Sequence, residues 1–277
     1  MKPAPFEYVR PKTVAEASVA LGRRGTTTAA IAGGQSLMPM LALRVALPDL
    51  LVDISRLDDL KIVTRTPDSV WLGALTTHAA IEDGETPDVF NGLMRAVAGQ
   101  ISYRAVRNQG TIGGSLALAD PAADWPVCLS ALGATVRIVG RNGVRVQNVD
   151  DFLQGQYETT LEAGDIIMGF DIPAPPRSFR WGFSKVARKS GAFAQSLAVV
   201  VAEANDTHVR AVLGAAGPRP KPLVATAKQL EMPNSTENEI RAAIKADLNA
   251  YFGELDEYQK RMHTANVLHA ARNMRAQ

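Results

Sequence analysis

The sequence predicts an α+β chain with three parts: a small α/β part at the N-terminus, a mainly antiparallel second part, and an α+β C-terminal domain with a β-sheet and helices. Three observations predict it. Strand-like and helix-like stretches alternate over about the first 56 residues and meet at a double glycine; turn sequences that favour antiparallel pairing follow; a long helical periodicity fills the tail. The run Pro173-Ala174-Pro175-Pro176 stiffens the backbone and marks a domain boundary. It divides the chain into 1–176, with subdomains of about 1–56 and 57–176, and 177–277.

Taken in order, Phe6 to Arg10 reads as a short strand stopped by Pro11. Thr13 and Glu16 then form a capping box for a helix with Val14, Ala17 and Leu21 on one face, ended by Gly22 to Gly25. Thr27 to Ala32 is a strand, and Leu50 to Ile54 is a second, buried one bounded by Pro48 and Asp49. Lys61 to Thr66 and Val70 to Leu75 are strands joined across the turn Pro67-Asp68-Ser69. Thr76 or Thr77 caps a helix into Ala80, and Asn91 to Ile101 is helical by the spacing of Leu93, Met94, Val97 and Ile101.

Asp120-Pro121 opens a further helix through Trp125 and Leu129 to Gly133. Ala134 to Val139 and Val144 to Val146 form a hairpin with Asn142-Gly143 at its tip, and Asp165 to Ile172 is another strand. Past the proline run, Phe179, Trp181 and Phe183 alternate as on a half-buried strand. Ser196 to Ala204 and His208 to Gly214 pair around Asn205-Asp206; Thr226 to Leu230, Asn238 to Phe252 and Glu257 to about Met274 are helices.

Two glycine-rich stretches stand out. Ala32-Gly33-Gly34-Gln35-Ser36-Leu37 follows an apolar strand, and Gly110-Thr111-Ile112-Gly113-Gly114-Ser115 comes later. Without side chains in the way, backbone N–H groups in such loops can turn towards an anion. One diphosphate held between both loops accounts for the pair. Neither G-x-G-x-x-G after a strand nor G-x-x-x-x-G-K-[ST] occurs, so a Rossmann fingerprint and a P-loop do not compete.

Composition narrows the function classes. The chain has 277 residues, 46% hydrophobic and 21% charged, with a formal net charge of +2 and bases dispersed among acids, so nothing calls for nucleic acid. No stretch is long and apolar enough for a transmembrane segment, and the N-terminus lacks the apolar core of a signal peptide; a cytoplasmic protein is expected. The single cysteine, Cys128, rules out an internal disulfide and an iron–sulfur cluster built by this chain alone, and suits a small core residue. His78, His208, His263 and His269 have no metal-site spacing, so no metal is expected.

The two stretches with their surroundings, Arg107-Asn108-Gln109-Gly110-Thr111-Ile112-Gly113-Gly114-Ser115-Leu116-Ala117 and Ala119-Asp120-Pro121-Ala122-Ala123-Asp124-Trp125-Pro126, closely resemble the FAD-binding medium subunit of molybdenum hydroxylases. That group is the xanthine dehydrogenase family, and the likeness is strongest to medium chains of the carbon monoxide dehydrogenase type. The resemblance covers essentially the whole chain and implies a PCMH-type FAD-binding fold. It implies that the backbone of Ala32 to Ser36, with Leu37 beside it, and of Thr111 to Ser115, with Gly110 before it, holds the FAD pyrophosphate. Asp124 then binds the adenosine ribose, Ile167 packs near the cofactor, and Lys185 lies near the flavin.

The same resemblance implies an electron-transfer subunit without catalytic residues of its own. A large molybdenum–pterin subunit oxidises substrate, a small subunit carries two [2Fe–2S] clusters, and FAD on this chain passes electrons to an external acceptor, in a dimer of heterotrimers. The one-cysteine count fits, since this chain cannot hold those clusters. The alternative is a stand-alone FAD-dependent oxidase acting directly on an organic substrate. The chain departs from the family pattern at Gln35 and Leu118, where relatives often carry histidine, at Ala192, where an acid is common, and at Phe193, where some relatives place a tyrosine against the isoalloxazine. An aromatic face stacks without a hydroxyl.

Overall fold

The computed structural model describes residues 2–175, 179–203 and 208–277. Pro176 of the predicted boundary, and Ala204 with the predicted turn Asn205-Asp206, lie outside the described residues. Three sheets carry most of the architecture. In the first part β1 (Glu7–Val9), α1 (Val14–Leu21), β2 (Thr28–Ile31), α2 (Leu37–Ala42) and β3 (Leu50–Asp53) give a three-stranded parallel sheet in the order β1-β3-β2. Thr13 caps α1 by accepting from the Glu16 N–H, while the Glu16 carboxylate accepts from Lys12 rather than from Thr13 itself, so the predicted capping box closes one residue early. Val14, Ala17 and Leu21 are buried together, as their spacing predicts.

In the second part β4 (Val63–Arg65) and β5 (Ser69–Gly73) lead through helices α3 (His78–Glu82), α4 (Leu93–Gly99), α5 (Arg104–Arg107), α6 (Ile112–Leu118) and α7 (Asp124–Ala131). The chain then returns as β6 (Thr135–Gly140), β7 (Gly143–Asn148), α8 (Val149–Phe152), the small pair β8 (Leu153–Gly155) and β9 (Glu158–Thr159), and β10 (Ile166–Pro173). The resulting antiparallel sheet has the order β4-β5-β10-β6-β7. Two boundaries move from their predicted places. The helix expected from Asp120 begins at Asp124, because the Asp120 side chain accepts from the Ala122 N–H and its carbonyl from Ala123, closing a separate turn first. The β6–β7 turn centres on Arg141 and Asn142, with Gly143 already paired to Gly140 and at φ +93°, so Asn142-Gly143 straddles the end of the turn.

The last part contains β11 (Arg180–Ala187), β12 (Ala194–Ala202), β13 (Val209–Gly214) and β14 (Lys221–Pro222) in an antiparallel sheet of that order, followed by α9 (Val224–Glu231), α10 (Glu237–Tyr251) and α11 (Glu257–Arg275). Complete capping boxes at Thr236/Glu239 and Asp256/Gln259 start the last two helices. Strand β12 shows why a nearly continuous apolar run is needed there. Leu197, Val199 and Val201 face a core shared with the second part, including Trp125, Leu129 and Phe170, whereas Ala198, Val200 and Ala202 face a core under the three terminal helices. Cys128 is fully buried in the shared core. No helix among the described residues is long and apolar enough to cross a membrane.

Candidate functional site

A cleft of about 490 Å³ opens where all three parts meet, within the size range of small-molecule and cofactor sites. Its walls come from the end of β2 and the start of α2, from α6 and the first residue of α7, from the start of β10, and from the β11–β12 hairpin. Of the predicted site residues, Ala32, Gly33, Gly34, Gln35, Ser36, Leu37, Gly110, Thr111, Gly113, Gly114, Ser115, Asp124, Ile167 and Lys185 all line it. Ile112 does not: its side chain is fully buried in the shared core, because as the first residue of α6 it points inward. Met40, His78, Ser102 and Asp165 line the cleft and are missing from the expected set.

The two glycine stretches touch. A Cβ on Gly33 would overlap the carbonyl of Gln109, so this approach of one loop to the other needs a glycine. Their chemistry then diverges. Among the described residues the N–H groups of Gly33, Gly34, Gln35, Ser36 and Leu37 have no protein acceptor, and Gly34 takes φ +69°. Five consecutive backbone donors therefore stay available at the cleft wall.

In the second stretch the corresponding donors are already used. Ile112 N–H bonds Thr76 O at 3.0 Å, Gly113 N–H bonds Ala74 O at 2.9 Å, Gly114 N–H bonds Thr111 Oγ1 at 3.1 Å, and Ser115 N–H bonds Thr111 O at 3.0 Å. From Ile112 to Ser115 the backbone donors are thus spent within the fold, whereas the Thr111 N–H has no protein acceptor among the described residues. This stretch is a capped helix start pinned to the segment after β5, and it presents to the cleft the Ser115 side chain and the side-chain-free face of Gly114.

Asp124 and Lys185 form a buried pair, each side chain 6% exposed. Nζ lies 2.9 Å from both carboxylate oxygens, in hydrogen-bonding geometry with Oδ2 alone, and it also donates to Gln100 O at 3.1 Å. Asp124 Oδ1 is left buried without a hydrogen-bond partner among the described residues. Burial pushes the carboxyl up to about 6, and the Lys185 ammonium partly offsets this. Lys185, expected near the flavin, and Asp124, expected at the adenosine ribose, thus stand side by side at the cleft wall.

A diphosphate-bearing ligand with a sugar diol fits these walls: consecutive free N–H donors on one side, an orphaned carboxylate oxygen on the other, and apolar Ile167 between β10 and the cleft. Residues 4–175 match the family described as the FAD binding domain in molybdopterin dehydrogenase. The chain belongs to this family of FAD-binding subunits. It is 35% identical to the carbon monoxide dehydrogenase medium chain of Hydrogenophaga pseudoflava, over 77% of this chain and 75% of that one. It is 34% identical to the nicotine 6-hydroxylase medium subunit of Paenarthrobacter nicotinovorans, over 78% and 76%. A structure of Hydrogenophaga pseudoflava carbon monoxide dehydrogenase that lacks the Mo-pyranopterin moiety of its molybdenum cofactor superposes with a TM-score of 0.92 at 30% identity, covering 100% of this chain and 99% of that chain. As an FAD-binding chain of this family, the protein is an oxidoreductase subunit of the molybdenum hydroxylase class.

Proposed function

We propose that this subunit holds FAD across the cleft, takes electrons from [2Fe–2S] clusters of a small partner subunit and delivers them to an external acceptor, while a large molybdenum–pterin subunit oxidises the substrate. The observation that carries the cofactor assignment is the row of unpartnered N–H groups from Gly33 to Leu37 facing the second glycine stretch. Those N–H groups hold the diphosphate, with the Ser115 hydroxyl added from across the seam. Asp124 accepts a ribose hydroxyl at Oδ1. Lys185 keeps that carboxylate ionised, so its influence on the flavin is indirect. Ile167 packs on the cofactor's apolar surface, and Phe193, 65% exposed at the lip of the cleft, offers an aromatic face at the mouth. When bound, FAD supplies the redox chemistry that joins single-electron donors to a terminal acceptor.

The chain divides for this work at the proline run, into 1–176 and 177–277; the family match ending at residue 175 supports the boundary. The assembly is a dimer of heterotrimers in the cytoplasm. Purification from the native source tests both levels. One FAD per chain, together with a molybdenum subunit and an iron–sulfur subunit in the native mass, is the expected result. A flavin-free complex overturns the cofactor assignment, and a lone chain that reduces its FAD with an organic substrate overturns the relay.

A further inference from the structure

His78 is the first residue of α3, placed there by the Thr77 cap, whose hydroxyl accepts from Ala80 N–H at 3.1 Å. It is 5% exposed, yet its ring lines the cleft. The indole N–H of Trp125, a fully buried neighbour of Asp124, donates to His78 Nδ1 at 2.9 Å. An indole nitrogen only donates, so Nδ1 must be the unprotonated nitrogen and the ring proton resides on Nε2. Burial, with Arg107 nearby, holds the imidazole down to about 4, which keeps it neutral at ordinary pH.

The Nε2–H has no protein acceptor among the described residues. It lies beside Gly110, where a Cβ would come within 2.7 Å of Nε2, and the His78 backbone N–H is tied to Gly110 O at 2.9 Å. Gly110 Cα also lies within 3.0 Å of where a Cβ on Gly33 would sit, next to the Gln109 carbonyl that Gly33 meets first. A donor of fixed tautomer, on a largely buried ring that lines the cleft, therefore stands beside the seam of the two glycine stretches. In the second stretch the backbone donors of Ile112 to Ser115 are spent inside the fold, and this side chain restores a donor on that side.

We propose that His78 is a further cofactor-binding residue, a neutral Nε2–H donor set by Trp125 and aimed at the anionic diphosphate seated at the Gly33–Gly110 seam. The proposal rests on the FAD reading above. The test uses the full chain in the complex with which it purifies, stripped of flavin and titrated separately with FAD and with riboflavin, which has no phosphate. His78→Phe is expected to weaken FAD binding about 10- to 100-fold, the effect of losing a hydrogen bond to a charged group. Riboflavin binding should be unchanged, and His78→Gln, which can place an amide N–H near Nε2, should recover most of the FAD loss.

Unchanged FAD affinity in His78→Phe overturns the proposal, as does an equal loss for FAD and riboflavin, which would mark a purely structural residue. Should His78→Phe fail to fold, the wild-type protein decides by nitrogen-15 NMR of the histidine rings. The expected result is an Nε2–H tautomer for His78 whose proton resonance moves on adding FAD; an unmoved resonance overturns the proposal. Wild-type protein that binds no FAD would instead sink the underlying cofactor reading.

Discussion

The two glycine stretches resemble each other in composition and differ in what they do. Among the described residues Gly33 to Leu37 leaves five backbone donors unpaired along the cleft, whereas Ile112 to Ser115 uses its four to dock α6 onto the segment after β5 and onto its own Thr111 cap. The first is a donor surface. The second is a rigid wall, and the polar side chains beside it that line the cleft are Ser115, His78 behind Gly110, and Asp124 at the start of the following helix. A glycine pair therefore reports closeness, of either a ligand or a neighbouring backbone, and only the hydrogen-bond partners tell which.

Four perturbations sharpen this contrast. Lys185→Met should have the largest effect, because it strands the buried Asp124 carboxylate; removing one partner of a buried ion pair costs roughly 3–5 kcal/mol, read as a fall in the urea midpoint. A loss below 1 kcal/mol would mean that the pair is wetter than its 6% exposure indicates. Next comes a crossed pair. Gly113→Ala puts a methyl 2.6 Å from both Cβ and O of Ala74, and should cost about 1–3 kcal/mol of folding stability. Gly33→Ala collides with the Gln109 carbonyl at the seam, and should show mainly as lost flavin in the purified protein. Equal patterns for the two would erase the distinction between donor surface and wall.

The pH response is smaller and has opposite signs for folding and for binding. Asp124 titrates at about 6 in the folded chain against an ordinary 3.8, so the folded form holds the extra proton between those values. Its contribution to the stability of the flavin-free protein is complete below pH 3.8 and falls as pH rises towards 6. In the proposed role Asp124 meets the ribose as a carboxylate, so FAD binding should weaken about tenfold from pH 7 to pH 5, measured by flavin fluorescence titration. Asp124→Asn should flatten that profile. Smallest is Thr111→Val, which removes the α6 cap at about 1 kcal/mol and should lower the melting temperature while flavin content stays near that of the wild type.

Much of the fold was legible because strong local signals coincide with elements long enough to show them. Thr13 does cap its helix, Val14, Ala17 and Leu21 share a buried face, and the tail has the three helices its periodicity predicts. The short helices α2, α5 and α6 were not legible as helices: they span six, four and seven residues, too few for a periodic apolar face, and α6 contains two adjacent glycines that disfavour helix. At the site, fourteen of the fifteen expected residues line the cleft, and Ile112 turns into the core. His78 carries no local signal of a cofactor residue, because its distinguishing contact, Trp125, lies 47 positions away.

The sequence by itself determined the α+β character, the pairing of two glycine stretches with Asp124, and the family, since these depend on residue types in local order. Only the tertiary structure decided which backbone N–H groups remain free among the described residues, that Lys185 and Asp124 form one buried ion pair, and that His78 carries its proton on Nε2. Each of those is a hydrogen-bond or ion-pair choice among partners far apart in the chain. Such choices follow from packing, which brings one acceptor within reach of a donor and leaves the next donor without one.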